Sequence, residues 1–335
     1  MESFFINSYS RRMMTIAVFT VGCIVASLLF PVAIVSAFVG DLVFSRTLSV
    51  TRALLQAYVF LAVEAIGLFR IVILTVVRPG MSEECWVAAH ERLIGWWARA
   101  HLDWTRRIFR IQIVVEGEDA LGGRPFILVV RHASVIDNVF PAVFAIERHR
   151  VSMTWVLNWT LMRDPCIDIV GHRIGCVFVR GRTRQSLREI NVMREASASL
   201  GSRRGLVIYP EGTLYSRAKY ARALRKAERS RDPELLEFTR SLRNTLPPQI
   251  GGTIAIIEQR PDLDVVFCSH SGLEGSLDKA SIIAGGLHRK VIRIAFWRVA
   301  ASDIPRDRTQ LRRWLFCEWR KVDDLADAQT MLVTT

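Results

Sequence analysis

The feature that most limits how this chain can fold is a long uncharged run near its start. No residue from Met13 to Gly40 carries a charge, and the run is rich in Val, Ile, Ala, Leu and Phe. A helix that crosses a bilayer needs about 20 such residues, whereas the apolar core of a signal peptide is shorter. The run therefore predicts a helical membrane anchor, and Arg11 and Arg12 precede it.

A second apolar run extends from Ala53 to Val77 and contains two charged residues, Glu64 and Arg70. A charge at membrane depth is costly. The sequence therefore leaves open whether this segment spans the membrane, lies at its interface or re-enters it. The breakers Pro79 and Gly80 end the segment.

Charge and composition favour a lipid surface as a partner. The formal net charge is +13, 50% of the residues are hydrophobic, and the mean hydropathy is +0.23. Basic proteins bind polyanions, and the apolar excess favours anionic lipid over nucleic acid. The chain also carries no recognised nucleic-acid-binding motif. Positive charge is concentrated after residue 80, which predicts that the main domain faces the cytosol.

The six cysteines are scattered and include no Cys-x2-Cys pair. This spacing predicts reduced thiols and argues against a disulfide framework or a zinc site. Tryptophans alternate with charged residues from Ser82 to Arg110. That pattern suits either a helix at headgroup level or a surface helix packed on the domain.

Short apolar runs alternate with polar stretches of helical pattern between residues 111 and 300. The strand candidates are Ile111–Glu116, Phe126–Val130, Val151–Leu157, Cys176–Val179, Leu206–Tyr209, Val265–Cys268 and Val291–Val299. The helix candidates are Val139–Ile146, Thr183–Leu200, part of Arg217–Arg243, and Leu311–Leu325. This alternation predicts an α/β domain, a mixed sheet flanked by helices. We expect that domain over residues 81–335, after a membrane-embedded helical anchor of one or two helices over residues 1–80.

The sharpest candidate site follows the strand Phe126–Val130. His132 lies just beyond this strand, and Asp137 follows at His-x4-Asp spacing, where a helix is expected to begin. A turn of this kind can fold the carboxylate onto one imidazole nitrogen. That contact fixes the tautomer and leaves the other nitrogen as a general base. The alternative for Asp137 is a simple helix N-cap.

Two further strands end in residues suited to a phosphate-bearing ligand. The strand ending at Tyr209 runs into a tight turn, Pro210–Thr213, at the sheet edge where α/β proteins bind ligands. An ordinary strand-to-loop turn is the alternative. Another strand ends in Arg180, with Arg182 and Arg184 near it. Arginine suits bidentate phosphate binding, and a surface arginine cluster is the alternative.

In order and spacing, these blocks resemble the glycerolipid acyltransferase family, in particular 1-acyl-glycerol-3-phosphate acyltransferases and their lysophospholipid relatives. The family blocks Asn-His-x4-Asp, strand-Arg, Phe-Pro-Glu-Gly-Thr and apolar-Pro are matched by Arg131–Asp137, Val177–Arg180, Tyr209–Thr213 and Leu246–Pro248. The resemblance covers roughly residues 82–325. The chain departs from the family pattern at Arg131 (usually Asn), Asn138 (often aromatic) and Leu214 (commonly Arg).

The resemblance implies a membrane-bound O-acyltransferase. Such an enzyme moves a fatty acyl group from acyl-coenzyme A or acyl carrier protein to the free hydroxyl of a lysophospholipid. By resemblance the acceptor is 1-acyl-glycerol-3-phosphate and the product is phosphatidic acid. His132 is implied to be the general base and Asp137 to orient it. The residues implied to hold the acceptor are Arg180, Glu211, Gly212, Thr213 and Lys219, the last from a basic position in one subgroup.

The implied reaction uses no cofactor or metal, and its partners are the lysophospholipid, the acyl donor and an anionic membrane surface. The implied location is the inner (cytoplasmic) membrane or its equivalent, with the catalytic domain facing the cytosol. Leu214 removes a phosphate contact, so the acceptor could be another lysolipid such as lysophosphatidylglycerol, with Arg217 or Lys219 compensating. A non-catalytic membrane lipid-binding protein is the remaining alternative. A lipid hydrolase is disfavoured because the chain has no G-x-S-x-G elbow.

Overall fold

The two apolar runs form a helical hairpin. Helix α1 extends over Ser8–Phe44 and helix α2 over Ser49–Val77. Each is long and apolar enough to cross a membrane, by length and composition alone. The computed structural model describes residues 8–44, 47–180, 186–200, 204–273 and 279–331.

The helix that follows lies against this hairpin. Helix α3 (Glu83–Phe109) is capped by Ser82, whose hydroxyl accepts from the Cys85 backbone N–H at 3.2 Å. It ends at Arg110, which adopts a left-handed conformation with φ of 54°. Acidic residues in its first turn and arginines in its last turn complement the helix dipole. The amphipathic pattern of Ser82–Arg110 thus forms one helix that packs along α2.

Both ends of the hairpin contact the remainder of the protein. At the open end, Arg11 forms a buried ion pair with Asp168, at 2.9 Å. At the tip, the Arg52 guanidinium donates to the Ile108 carbonyl at 3.2 Å and contacts the His288 ring. Near the C-terminal end of α2, the Thr75 hydroxyl accepts from the Arg173 guanidinium at 2.8 Å. Helix α2, about 43 Å long for 29 residues, therefore contacts the domain near both of its ends.

The domain is built on a seven-stranded mixed sheet of order β1-β7-β6-β2-β5-β3-β4. Its strands are β1 (Gln112–Glu116), β2 (Phe126–Val130), β3 (Ser152–Asn158), β4 (Val177–Val179), β5 (Arg204–Ile208), β6 (Asp264–Ser271) and β7 (Val291–Val299). All neighbours pair in parallel except β6 and β7. The predicted fold class, a mixed sheet flanked by helices, is confirmed.

The helices after α3 cover both faces of this sheet. They are α4 (Pro165–Arg173), α5 (Ser186–Ser199), α6 (Arg217–Arg229), α7 (Pro233–Ser241), α8 (Ile250–Gln259), α9 (Lys279–Ile283) and α10 (Arg308–Met331). Strand β2 is buried throughout. Its residues Phe126, Leu128 and Val130 pack into one core, whereas Ile127 and Val129 pack into the other. A strand buried on both faces reads as a continuous apolar run, which is why this strand was evident in the sequence.

The predicted helix Val139–Ile146 takes a different form. A 3₁₀ turn over Val135–Val139 is followed by a π-helix over Ala142–Arg148. Pro141 lies between them and has no backbone N–H to give, which interrupts a regular α-helical ladder. Arg182 and Arg184 lie outside the described residues. The six cysteines all lie within them and are free thiols.

Candidate active site

Three neighbouring strands bring the candidate residues to one edge of the sheet. Strand β2 pairs in parallel with both β5 and β6, so the carboxyl ends of all three meet. His132 follows β2, Glu211 follows β5, and His270 is the second-last residue of β6. Residues separated by more than a hundred positions thus surround one point.

His132 and Asp137 form a hydrogen-bonded pair. The distance from His132 Nδ1 to Asp137 Oδ1 is 2.8 Å. The local turn accounts for this geometry: Ser134 caps the 3₁₀ turn, and its hydroxyl accepts from the Ile136 N–H at 3.1 Å. Asp137 Oδ2 accepts from the N–H groups of Ala133 and Ser134, at 2.7 and 2.8 Å. Asp137 is therefore the acidic member of a capping box, and Ser134 is the N-cap.

The pair is set up for base chemistry. Burial raises the pKa of Asp137, but hydrogen bonds from His132 and His270 outweigh it and lower that pKa to about 2. An ionised Asp137 needs a proton on His132 Nδ1, which leaves Nε2 with its lone pair. The His132 side chain is 16% exposed, whereas Asp137 is fully buried. The imidazole thus presents its free nitrogen at the sheet edge while its partner is shielded from water.

Glu211, in the turn after β5, is hydrogen-bonded to the backbone of His132. Its Oε1 accepts from the His132 backbone N–H at 2.7 Å, and its Oε2 accepts from the Leu246 N–H at 2.8 Å. Burial raises its pKa to about 7, and these two N–H groups oppose the rise. Both carboxylate oxygens are committed to the backbone. Glu211 therefore fixes the position of His132 rather than reaching toward the cleft.

The rest of this turn is also organised internally. Gly212 has φ of +67°, the left-handed region that favours glycine, and its N–H donates to the Tyr209 carbonyl at 3.0 Å. That N–H is consequently not available to an oxyanion. Lys219 Nζ donates to Thr213 Oγ1 at 2.7 Å and to the Leu214 carbonyl at 2.9 Å. Lys219 and Thr213 thus form one polar unit after β5.

Arg180 is held away from the reacting pair. Its backbone N–H donates to Glu189 Oε1 at 2.8 Å, and its guanidinium lies 5.0 Å from the centre of the Trp159 ring. It follows β4, which is three strands from β2, a separation of about 14 Å. Arg180 therefore lies apart from the His132–Asp137 pair.

Sequence reasoning missed His270. This fully buried residue lies on β6, with Nε2 at 3.0 Å from the Arg131 carbonyl and 3.3 Å from Asp137 Oδ2. The available signal was the polar run Ser269–Ser271 directly after the apolar residues Val265–Cys268. In both places a histidine comes shortly after a buried apolar strand segment, as His132 does after β2. Only the pairing of β6 with β2 shows that the two histidines share one carboxylate.

An apolar cavity of about 360 Å³ adjoins the His132–Asp137 turn. The turn contributes Val135, Ile136 and Val139 to its wall. The other wall residues come mainly from α2, α3, β3 and α4 and include Phe60, Ile71, Leu93, Trp97, Leu102, Trp155, Leu157 and Val170. The hairpin helix α2 is thus one side of the cavity. Such a shape fits a hydrocarbon chain.

Comparison with known proteins gives a consistent match. Residues 112–246 match the family model described as Acyltransferase. The probable 1-acyl-sn-glycerol-3-phosphate acyltransferase 5 of Arabidopsis thaliana is 21% identical over 223 residues. That alignment includes 65% of this chain but spans only 57% of the relative's length.

A solved structure has the same fold. It is the 1-acyl-sn-glycerophosphate (LPA) acyltransferase PlsC from Thermotoga maritima, with a TM-score of 0.54 and 16% sequence identity. The superposition includes 81% of this chain and 94% of that one. It therefore extends beyond the family-model match, and at this identity it establishes the fold.

Proposed function

We propose that the protein transfers a fatty acyl group from a thioester to the free hydroxyl of a lysophospholipid, as the match of residues 112–246 to the Acyltransferase family model suggests. The observation that carries the proposal is the His132–Asp137 pair, joined at 2.8 Å. The turn that holds this pair also lines an apolar cavity, through Val135, Ile136 and Val139. A base next to a hydrocarbon-sized cavity is what such a transfer requires.

In the proposed reaction, His132 Nε2 takes the proton of the acceptor hydroxyl as that oxygen attacks the thioester carbonyl. The tetrahedral intermediate then collapses, the carbon–sulfur bond breaks, and the imidazolium returns its proton to the leaving thiolate. A carbon–oxygen ester bond replaces the thioester. Asp137 holds the imidazole and stabilises its cationic form. The substrates supply nucleophile and leaving group, so the proposed chemistry involves no resident cofactor.

We assign an alkyl chain of the substrates to the cavity between α2 and α3. Burial of apolar surface contributes about 0.8 kcal/mol per methylene. A chain seated there would bring its ester-forming end to the turn that carries Asp137. Acyl-coenzyme A and acyl carrier protein are both candidate donors.

The acceptor we propose first is 1-acyl-glycerol-3-phosphate. The proposal rests on the match of Glu211, Gly212 and Thr213 to the family block and on Arg180 at the far end of the sheet edge. Leu214 in place of the usual Arg leaves room for another lysolipid, such as lysophosphatidylglycerol. Lys219, whose Nζ donates to Thr213 Oγ1 at 2.7 Å, is a candidate phosphate contact.

We propose that the hairpin attaches the protein to one face of a membrane. Helix α1 exposes a row of large apolar side chains, including Val18, Leu28 and Val32. The hairpin tip contacts the domain through Arg52, so it does not extend away as a membrane-crossing tip would. Exposed cations on α6, among them Arg222 and Arg225, would favour an anionic surface. The proposed surface is the cytosolic one.

The test is acyl transfer by detergent-purified protein from radiolabelled oleoyl-coenzyme A, or its carrier-protein equivalent, to a panel of lysolipids. His132→Ala should lower the rate by about 10²–10⁴, since it removes the general base. His149→Ala is the matched control, because that histidine pairs with Glu118, at 3.5 Å, and not with Asp137. The lysolipid that gives product names the acceptor.

Two results would count against the proposal. Wild-type turnover in His132→Ala would remove the assigned base. Absence of product on every acceptor, with folded protein and both donor types, would favour the non-catalytic lipid-binding alternative.

A further inference from the structure

A second histidine contacts the carboxylate that orients the first. Asp137 Oδ2 lies 3.3 Å from His270 Nε2, on the side opposite its contact with His132. Of the four N–H groups around Asp137, two belong to the backbone of its own turn. His270 is the single one that comes from another strand. It therefore links the orienting carboxylate to the sheet.

The surroundings of His270 fix its tautomer. Its Nε2 faces two acceptors, the Arg131 carbonyl at 3.0 Å and Asp137 Oδ2 at 3.3 Å, so Nε2 carries the proton. Its Nδ1 is buried and meets no hydrogen-bond partner among the described residues. A proton there would be buried without an acceptor. The edge of the His270 ring packs against Phe140, with centroids 5.5 Å apart.

Arg131, where the family usually has Asn, holds this histidine in place. The Arg131 backbone N–H donates to the Cys268 carbonyl at 3.0 Å, and its guanidinium donates to the carbonyls of His270 and Asn244. In return, the Arg131 carbonyl accepts from His270. The two residues thus form a reciprocal pair across strands β2 and β6. The arginine that replaces the usual Asn thus binds the backbone of β6 at His270.

We propose that His270 is a positioning residue for the acyl transfer, acting on His132 through Asp137 as the third member of a His132–Asp137–His270 chain. The inference rests on the proposed function. His270 does not touch the reacting atoms. Its single Nε2–H is shared between the Arg131 carbonyl and Asp137 Oδ2. This contact orients the carboxylate and disperses its negative charge.

Several ionisable groups surround the His132–Asp137–His270 chain and can influence the pH dependence of the rate. The titratable and charged side chains near Asp137 are His132 and Arg131 after β2, Tyr209 and Glu211 after β5, and Cys268 and His270 on β6. When the His270 donor is removed, the charge on Asp137 is less dispersed and stabilises the His132 imidazolium more strongly. The base is then protonated up to a higher pH.

The experiment compares His270→Leu, which removes the donor, with His270→Gln, whose amide nitrogen can occupy the position of Nε2. His270→Leu should lower kcat about tenfold or more, with little change in KM for the lysolipid. The acid limb of its kcat/KM profile should move to higher pH. His270→Gln should keep most of the rate and the wild-type pH limb. Ser269→Ala, a neighbour on β6 that bonds to Val322 instead, is the control for strand damage.

An unchanged rate and pH limb in His270→Leu, beside an inactive His132→Ala, would overturn this inference and leave the proposed function standing. Equal failure of the Leu and Gln variants with a wild-type pH limb would reduce His270 to a packing role. If His270→Leu does not fold, His270→Asn replaces it, since its amide is too short to reach Asp137.

Discussion

Asp137 uses its two carboxylate oxygens for different purposes. Oδ1 faces His132, while Oδ2 receives the N–H groups of Ala133, Ser134 and His270. In Asp137→Asn the amide oxygen will occupy the Oδ2 position, because only an acceptor fits among three donors. The amide NH₂ then donates to His132 Nδ1, so the imidazole must carry its proton on Nε2 instead. A protonated Nε2 has no lone pair and cannot act as a base.

We expect Asp137→Asn to remain folded and to lower kcat by about 10²–10⁴. The double variant His132→Ala/Asp137→Asn should be no slower than His132→Ala alone, because both substitutions remove the same function. Steady-state kinetics and circular dichroism on the three variants check this. Additive losses would mean that Asp137 acts independently of His132.

Glu211 gives a pH-dependent contribution to stability. Burial raises its pKa from 4.5 to about 7 in the folded protein. Its protonation therefore stabilises the fold fully below pH 4.5, and that contribution is lost as pH rises through 7. Between pH 5 and pH 8 the free energy of unfolding of the wild type should fall by roughly 2–3 kcal/mol because of this group. Glu211→Gln should not show that loss.

Chemical unfolding in detergent at the two pH values measures the difference. The comparison uses the change between pH values within each protein, so any constant cost of the Gln amide cancels. Parallel pH dependence in both proteins would contradict a raised pKa at Glu211.

At the scale of elements, helix α10 supports the site although it lies outside the family-model match. Its Asp323 accepts from the N–H groups of Arg243 and Asn244, at 2.9 and 2.8 Å, and from the Thr245 hydroxyl at 2.8 Å. Its Trp319 indole donates to the Leu246 carbonyl at 2.9 Å. Leu246 in turn donates to Glu211. The closing helix therefore fixes the loop that positions the site.

Asp323→Ala should destabilise the protein by roughly 2–4 kcal/mol, because it leaves buried donors without an acceptor. Activity should fall as well, through the displaced Leu246–Glu211 contact. Asp324→Ala, an exposed neighbour on the same helix, should leave both properties unchanged. The free energy of unfolding and the initial rate are measured for both variants. Equal values for Asp323→Ala and Asp324→Ala would refute this role for α10.

At the scale of the whole molecule, the hairpin and the domain form one contact surface. Arg11 pairs with Asp168 at one end, Arg52 reaches Ile108 at the other, and Glu64 accepts from the Trp97 indole between them at 2.7 Å. Of the two charges in the second apolar run, Glu64 is thus buried against α3, whereas Arg70 is exposed and lies over the Trp96 ring at 3.7 Å. The same contacts make α2 a wall of the cavity.

This arrangement predicts that the tip and the domain lie on the same side of a membrane. Val50→Cys, at an exposed tip position, and the native Cys317, exposed on α10, serve as reporters in a background lacking Cys85. A membrane-impermeant maleimide added to sealed vesicles should label both cysteines from the same side. Labelling of Cys317 alone, with Val50→Cys reached only after permeabilisation, would show that the hairpin crosses the bilayer.

The sequence by itself determined whatever depends on neighbours along the chain. The uncharged run Met13–Gly40 gave helix α1, the apolar run Phe126–Val130 gave a strand buried on both faces, and Ser134 with Asp137 gave the capping box. That box alone folds the carboxylate onto His132, so the candidate pair could be predicted from a few adjacent residues. The roles assigned to Arg180, Thr213 and Lys219, and the domain boundary at residue 80, stay predictions.

The tertiary structure decided what depends on strand order and on docking. Nothing in the local pattern says that β6 pairs with β2, so His270 could not be placed beside Asp137. Nor could the sequence show whether Arg52 binds the domain or leads a helix across a membrane. These outcomes follow from hydrogen bonds and apolar contacts between segments far apart in the chain, and such contacts form only when the complete core is assembled.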